Sequence, residues 1–237
     1  MTYQNYHRHD YFTNVIIPDS TVSPEDYCKR AVELGHGIIA STAHGWQGRY
    51  IEHFELAKQY NLKFLFGTES YFVKDRKEKD ATNAHLILLA KNESGRKDIN
   101  RVLSESNQTG FYYRPRIDLE LLFSINPSNI WITTACIGGL WKYNDDDLIL
   151  KIAEYFGQNF FLEVQCHNTQ SQQTLNNKIL NLSNQNNLKI IFGCDSHFIY
   201  PEQKILRDDF LLSKHIQYDD ESDWYMDYPD DATVIER

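Results

Sequence analysis

The sequence has no apolar run that approaches the roughly 20 residues of a membrane-spanning helix. Its N-terminus lacks the basic-then-apolar order of a secretory signal peptide. Only four cysteines occur, and none lies close to another in the sequence. We therefore expect neither a membrane protein nor a disulfide scaffold, but a cytoplasmic protein with reduced thiols.

Positive charge is also scarce, because 24 Lys and Arg residues face 33 Asp and Glu residues, for a net charge of −9. This balance argues against a protein that coats nucleic acid electrostatically. It remains compatible with an enzyme that reaches phosphate through metal ions, since bound ions change the local sign of the potential. An apolar content of 41% in 237 residues allows a full core, in one large domain or two small ones.

Short apolar segments rich in β-branched and aromatic residues alternate with amphipathic segments along the chain. Continuous apolar runs of this kind are typical of buried parallel strands. The alternation predicts an α/β fold, either a barrel or a doubly wound sheet. With the opening YHRH segment, the predicted strands are 6–9, 37–42, 63–69, 85–91, 130–135, 160–165 and 189–195.

The composition changes from about Asp219, where the chain becomes acidic and loses any periodic apolar stripe. We expect residues 1–218 to form the main domain. Residues 219–237 are expected to form an acidic C-terminal tail, solvated or partly disordered. The alternative is a docking segment or the start of a further domain.

Potential metal ligands collect at the ends of the predicted strands. His7 and His9 share one face of an extended segment, and Asp195 and His197 repeat that spacing. In parallel α/β folds the carboxyl ends of the strands form the edge where sites are built. Imidazoles, carboxylates and a thiol crowded there need positive charge, which divalent Zn, Mn or Fe would supply. The set comprises His7, His9, His44, Glu69, His85, Cys136, Asp195 and His197.

His85 and His167 need separate treatment. His85 begins its predicted strand, so this strand either begins deep in the site or runs against the others. His167 follows the strand at 160–165 and is a candidate to line a substrate cleft.

Eight short motifs follow one another in a specific order: H-x-H, TAHG, GTESY, HLILLAKN, YRPRID, TACIGG, FLEVQ and CDSHF. Over residues 3–210 this set resembles the PHP (polymerase and histidinol phosphatase) domain. The resemblance is to the version at the N-terminus of bacterial and phage DNA polymerase III alpha subunits. It implies a distorted (βα)7 barrel with two to three divalent ions at the carboxyl ends of the strands.

The resemblance implies three metal positions, and Glu69 is a ligand of the first and the third. The first has His7, His9, Glu69 and Asp195 as ligands, the second has His44 and His197, and the third has Glu69, His85 and Cys136. Asp19 matches the acidic ligand that follows H-x-H in the family. We expect Glu69, Asp195 and His197 to be the catalytic residues. This sequence has Ala43 at the position where the family's T-D-H motif has an aspartate. The loss of this partner of a metal ligand puts the level of catalytic activity in question.

The implied reaction is phosphoester hydrolysis, and in the polymerase branch it is 3′→5′ exonuclease proofreading of a single-stranded DNA end. Arg114 and Arg116 are candidates to clamp a phosphate, and Tyr112, Tyr113 and Phe198 to stack on bases. A polymerase domain or other DNA replication proteins are the implied partners. Two alternatives stay open: a scaffold module of a replicative polymerase with structural metals, and a small-molecule phosphatase like the histidinol phosphate enzymes.

Overall fold

The computed structural model describes residues 3–218 and 221–237, which form a mixed seven-stranded sheet with helices packed against it. The strands are β1 Ile38–Ser41, β2 Lys63–Phe72, β3 Ala84–Ala90, β4 Arg116–Ile117, β5 Ile130–Thr133, β6 Phe160–Val164 and β7 Lys189–Phe192. The helices are α1 Pro24–Glu33, α2 Tyr50–Gln59, α3 Glu93–Thr109, α4 Leu119–Leu122, α5 Asp146–Phe156, α6 Gln170–Asn186, α7 Lys204–Ser213 and α8 Asp231–Glu236.

The sheet has the order β1-β2-β3-β5-β6-β7, and β4 pairs with β2 beside this path. β1, β5, β6 and β7 follow the predicted parallel pattern, with parallel pairs β1–β2, β5–β6 and β6–β7. β3 runs antiparallel to both β2 and β5, which confirms the second of the two orientations expected for the strand that His85 begins. The reversal brings His85, at the start of β3, to the edge where the parallel strands end.

The opening segment does not form the predicted first strand. Arg8 makes one isolated parallel bridge to Ser196, after β7. On the other side, the Thr42 hydroxyl accepts a hydrogen bond from the Arg8 N–H (2.9 Å) and donates one to the Arg8 carbonyl (2.8 Å). A side chain thus replaces a backbone ladder between β1 and the opening segment. The seventh strand of the sheet is β4, which takes the place of the predicted strand at 6–9 in the count. The fold is a curled, TIM-like mixed sheet, and the predicted (βα)7 barrel is not confirmed in its number of units.

Helix boundaries follow local sequence signals closely. Ser23 caps α1 by accepting a hydrogen bond from the Asp26 N–H, with Pro24 at the first helical position. The main core lies where α3, α5 and α6 pack on β3, β5 and β6. Among the helices of the described ranges, none is long and apolar enough to cross a lipid bilayer.

The predicted C-terminal tail packs against the domain over much of its described part. Met226 and Tyr228 are buried in a cluster with Tyr27 and Ile39, so this stretch is not a solvated extension. The Met226 carbonyl accepts a hydrogen bond from the His197 N–H at 2.8 Å. Asp219 and Asp220, where the predicted tail begins, lie outside the described residues, and the boundary at residue 218 stays a prediction.

Replacing Thr42 tests how the opening segment is held. Thr42→Val leaves a buried N–H and a buried carbonyl of Arg8 without a partner, which should lower the free energy of unfolding by about 2–4 kcal/mol. Thr42→Ser is the matched control, because it keeps the hydroxyl and should cost only about 1 kcal/mol for the lost methyl. Urea unfolding measures both, and equal losses would contradict the assigned role of the hydroxyl.

Candidate metal centre

The opening segment directs the imidazoles of His7 and His9 to the same side, and both are fully buried. The Nε2 atom of each ring lies 3.2 Å from the same oxygen of Asp195, Oδ1. Asp195 follows β7 with a positive φ of 47°, a left-handed conformation that aspartate and asparagine tolerate better than most residues. These three residues form a first group whose ligand atoms all lie within 4.8 Å of one another.

Glu69 lies at the centre of the site and has no exposed surface. One carboxylate oxygen, Oε2, is 2.6 Å from His44 Nδ1, and the other, Oε1, is 2.9 Å from His85 Nδ1. The Nε2 atoms of His7 and His9 lie 3.4 and 3.5 Å away from the same carboxylate. A single carboxylate therefore contacts four imidazoles that come from distant parts of the chain.

A second group joins Glu69, His85 and Cys136, again with ligand atoms within 4.8 Å of one another. The antiparallel register that pairs His85 with Tyr71 produces this group, since it places His85 two positions from Glu69 along the sheet. Burial, and then the nearby carboxylates, raise the pKa of the Cys136 thiol well above its ordinary value. Cys136 would therefore act as a thiolate ligand only when a cation offsets that charge.

A third group consists of His9, His44 and His197. Asp19 lies beside it, with Oδ2 at 3.1 Å from His44 Nε2 and 3.0 Å from His197 Nε2. Asp19 therefore lies close enough to this group to act as the acidic ligand that the resemblance implies, and that role stays a prediction.

Six buried ligand atoms of these groups have no hydrogen-bond partner among the described residues. They approach one another closely but without hydrogen-bond geometry, although buried polar atoms in proteins are nearly always paired. Lone pairs that converge in this way fit divalent cations, whose charge would offset the cost of burying the carboxylates. The atoms are Nε2 of His7, Nε2 of His9, Nδ1 of His44, Oε1 and Oε2 of Glu69, and Oδ1 of Asp195.

Protons and cations compete for this site. Burial would raise the pKa of Glu69, but His85 and His44 hold it well below its ordinary value. Burial would lower the pKa of His44, but Glu69 and Asp19 raise it to about 9. His9 differs, because burial together with His44 and His197 lowers its pKa to about 3. The metal-free centre is therefore a mixture of carboxylates, imidazolium and neutral imidazole.

Glu163 supports the site from behind, a role that the sequence analysis did not assign. Its carboxylate lies 2.8 Å from His7 Nδ1 and also accepts hydrogen bonds from Tyr6, Thr133 and Gln165. The contact to Nδ1 leaves His7 Nε2 for the cluster, as outer carboxylates do at histidine metal sites. A glutamate inside the apolar run FFLEVQ was the available sequence signal.

Arg207 is the second residue that the sequence did not reveal. It lies on α7, is 1% exposed, and forms ion pairs with Asp19 and with Glu221. Its Nε also donates a hydrogen bond to the Asp19 carbonyl at 2.9 Å. Arg207 therefore holds the carboxylate oxygen of Asp19 that does not contact the imidazoles, although Asp19 lies 188 residues earlier in the sequence.

A cavity of about 490 Å³ opens over the metal ligands, which is a usual volume for a small-molecule site. Arg114 lines it, with its guanidinium 4.8 Å above the Tyr71 ring. The prediction for Arg116 was wrong, because this side chain is buried and donates hydrogen bonds to the carbonyls of Gly110, Glu78, Asp80 and Arg76. It stabilises the loops around β4 and has no free donor fork for phosphate.

His167 is not one of the described residues that line this cavity. Trp224 lines it, and the Trp224 ring stacks on the His167 ring with centroids 4.8 Å apart. Burial lowers the pKa of His167 to about 4, and its Nδ1 accepts a hydrogen bond from the Tyr225 N–H. A substrate contact by His167 stays a prediction. Phe198 is 2% exposed and belongs to the core, so its predicted stacking on bases was wrong.

A tight turn after β5 positions Cys136. Ala135 adopts a positive φ of 58°, and Gly139 comes so close to the Thr134 carbonyl that a Cβ atom would lie 1.9 Å from its oxygen. Only glycine permits this approach. The local strain at Ala135 is therefore located beside a predicted metal ligand, as is common at functional sites.

The comparison with known families agrees with this geometry. Residues 5–167 match the family described as PHP domain. The chain belongs to the PHP domain family.

The relatives of this PHP domain include DNA polymerase III alpha subunits. The chain is 29% identical to the subunit from Aquifex aeolicus over 217 residues, and 32% identical to that from Borreliella burgdorferi over 204 residues. These alignments cover 84% and 80% of the chain but only 18% of each relative. The chain thus spans less than a fifth of the length of these relatives.

Two solved structures share the fold of this PHP domain at 14% sequence identity. One is a protein from Bifidobacterium adolescentis assigned as a metal-dependent phosphoesterase, with a TM-score of 0.51 over 81% of the chain and 86% of that structure. The other is an amidohydrolase from Chromobacterium violaceum, with a TM-score of 0.54 over 81% and 87%. Both likenesses support a TIM-like architecture.

The pKa of His44 predicts how metal binding depends on pH. The pKa of His44 is about 9 in the metal-free fold and about 6.5 in the unfolded chain, so protonation of His44 stabilises the metal-free fold. This stabilisation is fully present below about pH 6.5 and is lost as the pH rises through about 9. Cations need the deprotonated imidazole, so they should bind more tightly over the same range. The melting temperature with Mn²⁺ or Zn²⁺, minus that with EDTA, should therefore grow from about pH 6 to about pH 9. A difference that shrinks over this range would contradict the assignment of His44 as a ligand.

Proposed function

We propose that this chain is a metal-dependent phosphoesterase of the 3′→5′ exonuclease type, which removes nucleotides from a single-stranded DNA end. The observation that carries the proposal is the set of converging, unpaired ligand atoms around Glu69, at the base of an open cavity. The proposed catalytic residues are Glu69, Asp195 and His197. The three ligand groups, with Asp19 beside them, would hold two to three divalent ions, since one zinc usually takes about four ligands.

Bound divalent ions would act as Lewis acids toward the phosphoester and lower the pKa of the attacking water. Asp19, Glu69 and Asp195 carry three negative charges, and the Cys136 thiolate would add a fourth. Three divalent ions would then leave two positive charges to attract phosphate. Arg114 at the cavity wall would orient a phosphate oxygen as a charged donor.

The choice of DNA as substrate rests on the relatives. DNA polymerase III alpha subunits match most of this chain, and we infer the same replication context, with a polymerase domain or other replication proteins as partners. The four cysteines are free, which fits a reducing compartment such as the cytoplasm.

Two other functions are alternatives to the exonuclease. The net charge of −9 favours a small substrate over a long polyanion, which keeps a small-molecule phosphatase as the second candidate. The absence of the family aspartate at Ala43 favours a scaffold with structural metals. The substrate comparison below separates all three.

Asp195→Asn tests whether the metal centre is catalytic. Asparagine tolerates the positive φ at this position, so the fold should persist. The loss of the negative charge between His7 and His9 should weaken metal binding and reduce phosphodiester hydrolysis by at least about a hundredfold, a loss like those seen when a key electrostatic group is removed. Rates on a chromogenic phosphodiester and circular dichroism spectra provide the two measurements. A folded variant with the wild-type rate would place catalysis elsewhere.

Arg114 and Arg116 should behave differently when they are replaced by alanine. Arg114→Ala should raise the KM for a single-stranded oligonucleotide about tenfold, because one charged contact is lost. Arg116→Ala should lower the free energy of unfolding by at least about 3 kcal/mol, because four carbonyls lose their donor. Arg101→Ala on the exposed part of α3 is the matched control for Arg114.

The substrates for this comparison are the oligonucleotide, a chromogenic diester and a phosphomonoester. Fast release of phosphate from the monoester, without cleavage of the oligonucleotide, would make the phosphatase the better assignment. Metal-loaded wild-type protein that cleaves none of the three would favour the scaffold.

A further inference from the structure

A second cavity lies beside the one above the metal ligands. It has a volume of about 430 Å³ and shares Ile137, Lys142 and Ser171 with the metal cavity. The shared wall places the two cavities next to each other. We call the second cavity the side groove.

The walls of the side groove come from the turn after Cys136 and from the start of α6. The 3-10 helix at 140–143 contributes Trp141 and Lys142, and the first turns of α6 contribute Ser171 and Thr174. The positive end of the α6 dipole and the Ser171 hydroxyl therefore line the groove, while the Thr174 hydroxyl already donates a hydrogen bond to the Gln170 carbonyl at 2.8 Å. The positive end of the dipole suits an anion better than a cation.

Lys142 is the cation in the side groove without an acidic partner. Lys178 also lines the groove, but its ammonium pairs with Asp146 at 2.8 Å and with Asn144 at 3.0 Å. The Lys142 ammonium is exposed and makes no ion pair or side-chain hydrogen bond within residues 3–218 and 221–237. In a chain with a net charge of −9, an unpaired lysine beside the metal cavity is a specific attraction for a second phosphate.

We propose that the side groove binds the phosphodiester next to the scissile one, with Lys142 as its charged donor. The inference rests on the proposed hydrolysis at the metal cavity and narrows its substrate class. The substrate would be an oligonucleotide with at least two phosphates, with one phosphate over the metal ligands and its neighbour at Lys142. A phosphomonoester would leave the side groove empty.

Binding is tested with a fluorescent, phosphorothioate-linked pentathymidylate on the metal-loaded chain. Lys142→Ala should weaken binding about tenfold. The slope of log K against log salt should fall by about 0.7, the value for one phosphate contact of a single strand. Lys142→Arg should restore both. Lys151→Ala, which removes the same charge from an exposed position of α5 that lines neither cavity, should change neither.

Equal affinities and salt slopes for the Lys142→Ala and Lys151→Ala variants would overturn the proposal. A second result would also overturn it: pentathymidylate binds wild type and Lys142→Ala with the same affinity, and inorganic phosphate displaces it equally well from both. These readouts do not depend on turnover.

Hydrolysis distinguishes a failure of the side groove from a failure of the proposed function. Lys142→Ala should raise the KM for pentathymidylate about tenfold and the KM for a chromogenic mononucleotide ester much less, because that ester has one phosphate. Equal losses on both substrates would count against the groove. If wild-type protein cleaves neither substrate, the proposed function fails, and the salt slope alone then decides whether the groove binds a phosphodiester.

Discussion

Glu69 imposes the constraint on which the rest of the site depends. Its carboxylate is fully buried, accepts no hydrogen bond within the described residues, and contacts four imidazoles. A buried charge in this position is costly unless positive charge is supplied close by. In the metal-free chain protonated imidazoles supply it, and cations that take their place would connect the chemistry of the site to its stability.

The fold meets this constraint with departures from a regular barrel. β3 runs against its neighbours and thereby brings His85 to Glu69. The opening segment is held by a bridge to Ser196 and by the hydroxyl of Thr42, so His7 and His9 lie inside without a ladder of their own. Left-handed residues beside β5 and β7, Ala135 and Asp195, complete the edge.

The clustering of the proposed ligands could be predicted from sequence, because residues that follow parallel strands lie at one edge of the sheet. Asp19 needed the family resemblance, since nothing in its local sequence indicates a site. Arg207 and Glu163 escaped because their roles depend on partners more than 150 residues away. Arg116 was misassigned because a motif reveals an arginine but not the loop carbonyls that its guanidinium contacts.

The central claim is that Glu69 is shared between at least two divalent ions. Anomalous diffraction from crystals of the chain loaded with Mn²⁺ or Zn²⁺ tests it most directly. The account predicts two or three peaks among the three ligand groups, with neighbouring ions about 3.5–4 Å apart and the Glu69 carboxylate between two of them. A single peak, or peaks that do not contact Glu69, would contradict it.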